Sequence, residues 1–562
     1  MKNLVIRLII VCIFIIGALL IINSAPKYEL LYKYKDGDLR VIINDVEITR
    51  DTRRLPEVAV LLNNEVLLSQ NTIDYLFDKN LHTESKRDML VTTSDTHIAY
   101  ITVGSKTILI DGEEKGIKVP AVKDTYEYAT DDRYTDKKDV KSIIYVPIKE
   151  LCDVYDIDVK FEDKLIITER NVNRSRVTVT GEEPLEIKYL KDDNSKTIKK
   201  VINGDFVDIF NYASFEEYNQ VRSSDGEIGF VKTEILEKFG VSPVTTKQDI
   251  PSKTDKKINI AWDYINPDNT SIGDKADRTK IEVIDVVAPT LLYLQNTDGE
   301  VKFKINAVKE YISWANKNGY KIWFTFKNDS NSIDETSEFL NDNEHRSRAI
   351  YELIEIAKAY KIDGINVDFE NMYKKDAECF SQFIRELSVV GHWNNLVISV
   401  CVNVPDGSET WSLCYEHKNL SEAADYLAVM TYDQYGQSSK VAGPNASYDW
   451  VETNIQKLVE REGVDRQKVL LGIAFYSRLW TKDVFPPAVV NMDKAKTYIN
   501  GATWSDTAKQ YYYENNAKTK QIWVEDATSI KEKLKLISDY DLGGSAAWRL
   551  GFESDDVWEA YK

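Results

Sequence analysis

The sequence predicts an α/β protein. A C-terminal (β/α)8 TIM barrel fills residues 258–562, preceded by a transmembrane helix, a small α+β domain and a small β-barrel. Three observations carry this. Eight short apolar runs alternate with helical stretches after residue 258, residues 28–238 are dense in short β-prone runs, and residues 8–22 form an unbroken apolar run. Alternation of strand and helix over roughly 300 residues implies a parallel sheet, and eight units imply a closed one.

The apolar run extends backwards through Leu4, Val5 and Ile6 around Arg7. A helix over residues 4–22 is about 28 Å long, close to a hydrocarbon core of roughly 30 Å. Lys2 and Arg7 precede it, which favours a cytoplasmic N-terminus and an exported remainder; Lys27, Lys33 and Lys35 on the far side oppose that bias. Residues 1–25 therefore read as a cytoplasmic stub and signal-anchor. The rival is a cleaved signal peptide, for which Ala25, with Asn23 at −3 and Pro26 following, offers poor chemistry. Either reading places the rest outside the cytoplasm, and the anchor holds it at a bacterial cell membrane.

In residues 26–170 a rough repeat is visible. Glu65-Val66-Leu67-Leu68, a helical stretch near Tyr75 and Met89-Leu90-Val91 are echoed by Ile143-Ile144-Tyr145-Val146, a stretch at 149–155, Val159-Lys160-Phe161 and Leu165-Ile166-Ile167. The pattern resembles the small N-terminal domain of copper amine oxidases that recurs in bacterial envelope proteins. No histidine cluster accompanies it, so the resemblance implies a stalk rather than a copper site. Residues 172–238 contain Gly204-Asp205 before an alternating strand, and Asp225-Gly226 between two β-prone runs, a hairpin signal. They resemble bacterial SH3-like domains, with Tyr218 where that family usually has Trp. A wall-contacting role and a spacer role are both open. Residues 239–257, rich in Ser, Pro, Thr, Lys and Asp, read as a linker.

Inside the barrel the decisive segment is Asp363-Gly364-Ile365-Asn366-Val367-Asp368-Phe369-Glu370. Alternate residues of a strand point one way, so Asn366, Asp368 and Glu370 share the inward face and Glu370 falls at the C-terminal mouth. Inward carboxylates are expensive unless they have partners or a task. An N-cap or ion-pair cluster at a strand end is the competing structural reading.

These residues resemble glycoside hydrolase family 18, the chitinase-like enzymes, whose signature is DxxDxDxE. Asp363, Asp368 and Glu370 match it, and Asn366 replaces the middle Asp. Met430-Thr431-Tyr432-Asp433 resembles that family's MxYD, and Trp548 stands where it places an aromatic floor. Asp363-Gly364-Ile365-Asn366, the WSLCY at Trp411 and the AWRLG at Ala547 look most like the branch of spore cortical-fragment-lytic N-acetylglucosaminidases. The resemblance covers 258–562. It implies Glu370 as general acid and Asp368 and Tyr432 as the groups that orient the substrate's acetamido group. Asp363, Asn366, Met430, Asp433 and Trp548 are implied at or beside the substrate. Trp262, Trp323 and Trp480 follow strand candidates, and sugar stacking and core packing are both open for each; of the three, Trp262 is expected among the substrate-binding residues.

The formal charge of −19 and the lack of a basic cluster argue against nucleic acid. Cys12, Cys152, Cys379, Cys401 and Cys414 form no CxxC or framework, and five scattered histidines indicate no metal site. Cys401, within strand five, reads as a small buried hydrophobe. No cofactor is expected. The expected partner is peptidoglycan or a chitin-like glycan. A catalytically silent glycan-binding protein on the same barrel is the competing function. The aromatic stretch 479–542 is expected to wall the groove.

Overall fold

The computed structural model describes residues 32–33, 40–48, 58–129, 138–244, 257–266, 269, 271–329 and 331–562. The chain falls into two compact units divided between Lys253 and Thr254. The expected membrane anchor at residues 4–22 lies outside the described residues. Among the described residues no helix is long and apolar enough to cross a membrane.

The C-terminal unit is the predicted barrel. Its strands are β1 (Ile258–Asp263), β2 (Val286–Pro289), β3 (Lys321–Lys327), β4 (Gly364–Asp368), β5 (Val397–Asn403), β6 (Tyr426–Met430), β7 (Val469–Ala474) and β8 (Gly544–Trp548). Each pairs in parallel with the next, and β8 pairs with β1 to close the ring. Closure brings backbones very near each other at Gly544, where a Cβ would sit 1.8 Å from the Ile258 carbonyl oxygen. Only glycine fits there.

Period-two alternation sorts the side chains. Ile260, Trp262, Ala288, Trp323, Cys401, Ala428, Met430 and Ala546 fill the barrel interior. Ile365, Val367, Ile398, Val400, Leu427 and Val429 point outward into the layer shared with the helices. Helix Asn343–Tyr360 carries Ile350, Leu353, Ile356 and Ala357 at helical spacing and buries all four. It also buries Arg346, which meets Glu386 of helix Ala377–Trp393 at 2.9 Å, both side chains fully buried.

The long connection after β7 folds as its own five-stranded antiparallel sheet: Tyr476–Thr481, Val484–Asn491, Thr503–Ser505, Gln510–Glu514 and Lys520–Val524. Its aromatics pair with one another, Trp504 with Tyr511 at 5.0 Å and Tyr512 with Trp523 at 4.7 Å. The first strand of this insert reaches the barrel mouth.

The N-terminal unit is more β-rich than the α+β expectation. Both halves of the repeat are present in the same order: Glu65–Ser69, helix Gln70–Leu76, His82–Glu84 and Met89–Thr93, then Lys138–Pro147, a 3-10 turn Ile148–Leu151, Ile157–Phe161 and Leu165–Glu169. The second expected helix shrinks to that turn. So short a segment gains too few backbone bonds to offset nucleation. Residues 174–244 form a seven-stranded antiparallel sheet around Val177, Leu185, Ile187, Val207, Val221 and Val231. The Asp225-Gly226 hairpin forms as read, with Gly226 at φ 88°.

The linker boundary needs correction. Helix Thr233–Phe239 and strand Ser242–Val244, which pairs with Arg174–Thr178, carry this module to Val244. The remaining linker residues, 245–256, lie outside the described residues.

Candidate active site

The site is built at the C-terminal end of β4. Phe369 is fully buried among Phe326, Phe339, Phe380 and Phe383, at centroid distances of 5.2 to 6.0 Å. Its carbonyl accepts a hydrogen bond from the Tyr415 hydroxyl at 2.7 Å. Asn328 clasps the next residue on both sides: the Glu370 N–H donates to Asn328 Oδ1 at 2.9 Å, and Asn328 Nδ2 donates to the Glu370 carbonyl at 3.0 Å. The backbone between the two acids is therefore pinned by packing and by three hydrogen bonds. Such anchoring holds a reacting group in place without reorganisation.

Asn366 is fully buried and its amide is engaged on every side. Its Oδ1 accepts from Trp262 Nε1 at 2.9 Å, Cys401 Sγ at 3.3 Å and Thr325 Oγ1 at 3.4 Å. Its Nδ2 donates to Ser399 Oγ at 2.8 Å. Three other strands of the barrel, β1, β3 and β5, converge on this one neutral amide. It holds the interior together and neither gains nor loses a proton.

Asp368, two residues higher, is buried, and its Oδ1 has no hydrogen-bond partner. An unpaired buried carboxylate oxygen is worth about 1–3 kcal/mol of lost solvation, so a donor is wanted there. Burial pushes the Asp368 carboxyl up, and the ammonium of Lys327 pulls against that shift. Glu370, half-buried above it, is pushed up to about 8, first by burial and then by the charge of Asp368. The two neighbouring acids titrate as a pair, and the charge of Asp368 favours the protonated form of Glu370.

Tyr432 extends the inward face of β6 and meets Tyr476 at 6.3 Å. Burial, then Tyr476, Cys401 and the two acids, push its hydroxyl well above the ordinary range, so it remains a donor. Asp433, at φ 62°, accepts from the Tyr476 hydroxyl at 2.7 Å and from Arg478 Nε at 3.1 Å. It thus ties the insert to the mouth. Met430 lies in the barrel interior beneath Tyr432. Trp548 is half-buried at the end of β8, edge-on to Trp262 at 6.1 Å.

Two expectations are corrected. Asp363 lies before the first residue of β4, at the opposite end from Glu370. It binds Lys321 Nζ at 2.6 Å and the Ile322 N–H at 2.9 Å. It is a strut between β3 and β4, and no substrate at the mouth meets it. Trp262 is 2% exposed and spends its N–H on Asn366, so it packs rather than stacks on sugar. The open choice for the other two also falls to packing. Trp323 is buried and stacks on Tyr426, and Trp480 donates to the Gly443 carbonyl at 2.9 Å.

Sequence reasoning missed Lys327, Asn328, Arg478 and Tyr476, and read Cys401 as merely apolar. Lys327 was within reach. Trp323, Thr325 and Lys327 alternate on one face of β3, so a cation ends an inward row. The Asn328 clasp and the Asp433–Arg478 contact join distant segments and leave no local pattern. Among the described residues of this unit, no three His, Cys, Asp or Glu side chains bring ligating atoms together.

A closed βα barrel with two acids at its C-terminal mouth places them on the face where such barrels carry their active sites. The family description Glycosyl hydrolases family 18 matches residues 239–553, and the chain belongs to that family. The protein is a glycoside hydrolase. It is 28% identical over 278 residues to the uncharacterized glycosylase YvbX of Bacillus subtilis, covering 46% of this chain and 78% of that protein. It is 26% identical over 237 residues to the cortical fragment-lytic enzyme of Bacillus subtilis, covering 39% of this chain and 53% of that one. The chain thus spans about half the length of the latter. Among solved structures, a chitinase from Chromobacterium violaceum is 25% identical with a TM-score of 0.48, covering 54% of this chain and 98% of that chain.

Proposed function

We propose that this protein is a membrane-anchored, extracytoplasmic enzyme that hydrolyses β-1,4 bonds after N-acetylglucosamine in peptidoglycan, with the substrate's own acetamido group as nucleophile. The observation that carries this reading is the unpartnered Oδ1 of buried Asp368 beneath Glu370, whose proton affinity burial raises. Two carboxylates on one strand face cannot flank a sugar as nucleophile and acid do in most retaining glycosidases. They can serve one sugar from one side. Asp368 accepts the acetamido N–H, and the acetamido oxygen attacks C1. The bond from C1 to the leaving oxygen breaks, and Glu370 gives that oxygen its proton. Water then attacks C1 of the oxazolinium ion, passes a proton to Glu370 and frees the acetamido oxygen. Tyr432 donates to the acetamido oxygen, and Trp548 lies under the ring.

Peptidoglycan is preferred over chitin because of the apolar leader, the N-terminal modules and the cortical fragment-lytic relative. We assign residues 26–170 to a stalk and 172–244 to wall contact on the same grounds. N-acetylmuramic acid also has an acetamido group, with a bulky anionic lactyl ether on O3. Arg478 partners Asp433, so repulsion of that anion rests on Asp368, together with the size of the lactyl group. Mass spectrometry of borohydride-reduced wall digests is expected to show reduced N-acetylglucosamine ends. Reduced muramic acid ends contradict the bond, and products from chitin oligosaccharides alone contradict the wall. A silent glycan-binding protein gives no products at all.

The anchor has its own test. Full-length protein is expected in the membrane fraction, digestible by protease added to intact protoplasts. A soluble form beginning near Pro26 means the leader is cleaved.

A further inference from the structure

Parallel register places Lys327 of β3 directly beside Asp368 of β4, one inward step above the pair Thr325 and Asn366. The lower pair is joined by the Thr325–Asn366 hydrogen bond, which fixes the inward direction for both strands. Lys327 is therefore a cation delivered to the acids by strand geometry. Its side chain is only 13% exposed, and its Nζ lies 2.8 Å from Asp329 Oδ2, on the more exposed rim.

We propose that Lys327 is a positioning residue that sets the pH window of the pair, holding down the proton affinity of both acids so that Asp368 ionises while Glu370 keeps its proton. The inference rests on the assignment of these two acids above. Every charged neighbour bears on it. Lys327 ends β3 and Asp329 follows it, and Asp433 follows β6, itself bound by Arg478 of the insert. The remaining titratable neighbours are neutral. Cys401 on β5, Tyr415 in the loop after it, Tyr432 after β6 and Tyr476 of the insert are all pushed well above their ordinary ranges by burial. Cys414, beside Tyr415 in sequence, and Tyr293, in register with Lys327, are pushed up to about 12, first by burial. Asn366 below carries no charge. Among the described residues, Lys327 is then the cation shared by both acids, while Arg478 serves Asp433.

The consequence is directional. Lys327 pulls both carboxyls down, and Asp329 pushes both up. The active form has Asp368 ionised and Glu370 protonated, which gives a bell-shaped pH–rate profile. Removing the cation in Lys327→Met raises both proton affinities, so both limbs move to higher pH. Removing the rim anion in Asp329→Asn moves both limbs to lower pH. Lys327→Arg keeps the charge and returns the limbs toward those of the parent.

The experiment measures kcat/KM against pH for the full-length protein and each variant. The probe is purified wall glycan or N-acetylchitooligosaccharide, whichever the parent cleaves faster. A merely structural role lowers activity at every pH and moves no limb. Opposite displacements in Lys327→Met and Asp329→Asn support the proposal, and limbs superimposable on the parent's overturn it. If Lys327→Met does not fold, the direction seen in Asp329→Asn decides alone. Glu370→Gln, run alongside, separates the two levels. Retained turnover there removes the acid assignment, whereas lost turnover with unmoved limbs removes only the role of Lys327.

Discussion

Glu370→Gln is expected to lower turnover by about 10²-fold or more while leaving glycan binding largely intact. The substitution keeps shape and hydrogen-bonding capacity and removes the one proton placed to reach the leaving oxygen. Glu370 is held near 8 by burial and by Asp368, so the parent's basic limb is expected near that pH. The same shift predicts a stability change of opposite sense. A carboxyl whose proton affinity is raised on folding contributes stability below its unfolded value of 4.5, and that contribution is lost as pH rises toward about 8. The Gln variant carries no such titration. Its melting temperature relative to the parent should rise with pH across that interval. Lost activity in a protein that gains relative stability at high pH cannot be blamed on unfolding. Turnover within a few-fold of the parent ends the assignment.

Asn366→Asp carries the second large effect. The present amide accepts from Trp262, Thr325 and Cys401 and donates to Ser399 in a fully buried position. A carboxyl of the same shape meets the same neighbours, except that Ser399 must turn its hydroxyl to donate. It also faces Asp368, two residues away on one strand face. Burial and a like charge both raise the new group's proton affinity. By the same linkage, the variant is expected to lose stability relative to the parent as pH rises from the unfolded carboxyl range upward. The loss is about 1.4 kcal/mol for each unit by which folding lifts the group. The acidic limb of the pH–rate profile should move upward as the new acid couples to Asp368. Thermal melts between pH 5 and pH 9, with rates on the same samples, check both. Melts that track the parent at every pH, with an unchanged acidic limb, mean the two positions do not interact.

The fold was legible where a single periodicity dominated. All eight barrel strands coincide with the apolar runs read from sequence, because a strand buried on both faces is apolar throughout. The helix Asn343–Tyr360 was legible for the complementary reason, an apolar stripe at 3.6-residue spacing. The N-terminal unit was less legible. The helix Thr233–Phe239 lay within and just beyond the hairpin module, and no strong stripe announced it. Strand Ser242–Val244 reads as linker composition and is made a strand by the edge it joins. At the site, Asp368 and Glu370 were legible because Asp368 ends a strand and Glu370 follows it two residues on, so the strand's alternation aims both one way. Asp363 shows the limit of that logic. It belongs to the same sequence motif, but seven residues of extended chain carry it to the far end of the barrel. Arg478 and Asn328 could not be read at all, since contact with Asp433 and Glu370 exists only once the ring closes.

The claim most exposed to test is that the substrate's acetamido oxygen, oriented by Asp368, is the nucleophile. The direct measurement compares initial rates on one glycan bearing N-acetyl or N-trifluoroacetyl groups. The two are nearly isosteric, and the fluorinated carbonyl oxygen is a much poorer nucleophile. Participation predicts that the trifluoroacetylated glycan is cleaved at least about tenfold more slowly, a loss of about 1.4 kcal/mol or more of transition-state stabilisation. Equal rates on the two glycans would mean that a group on the protein attacks C1, and would contradict the account.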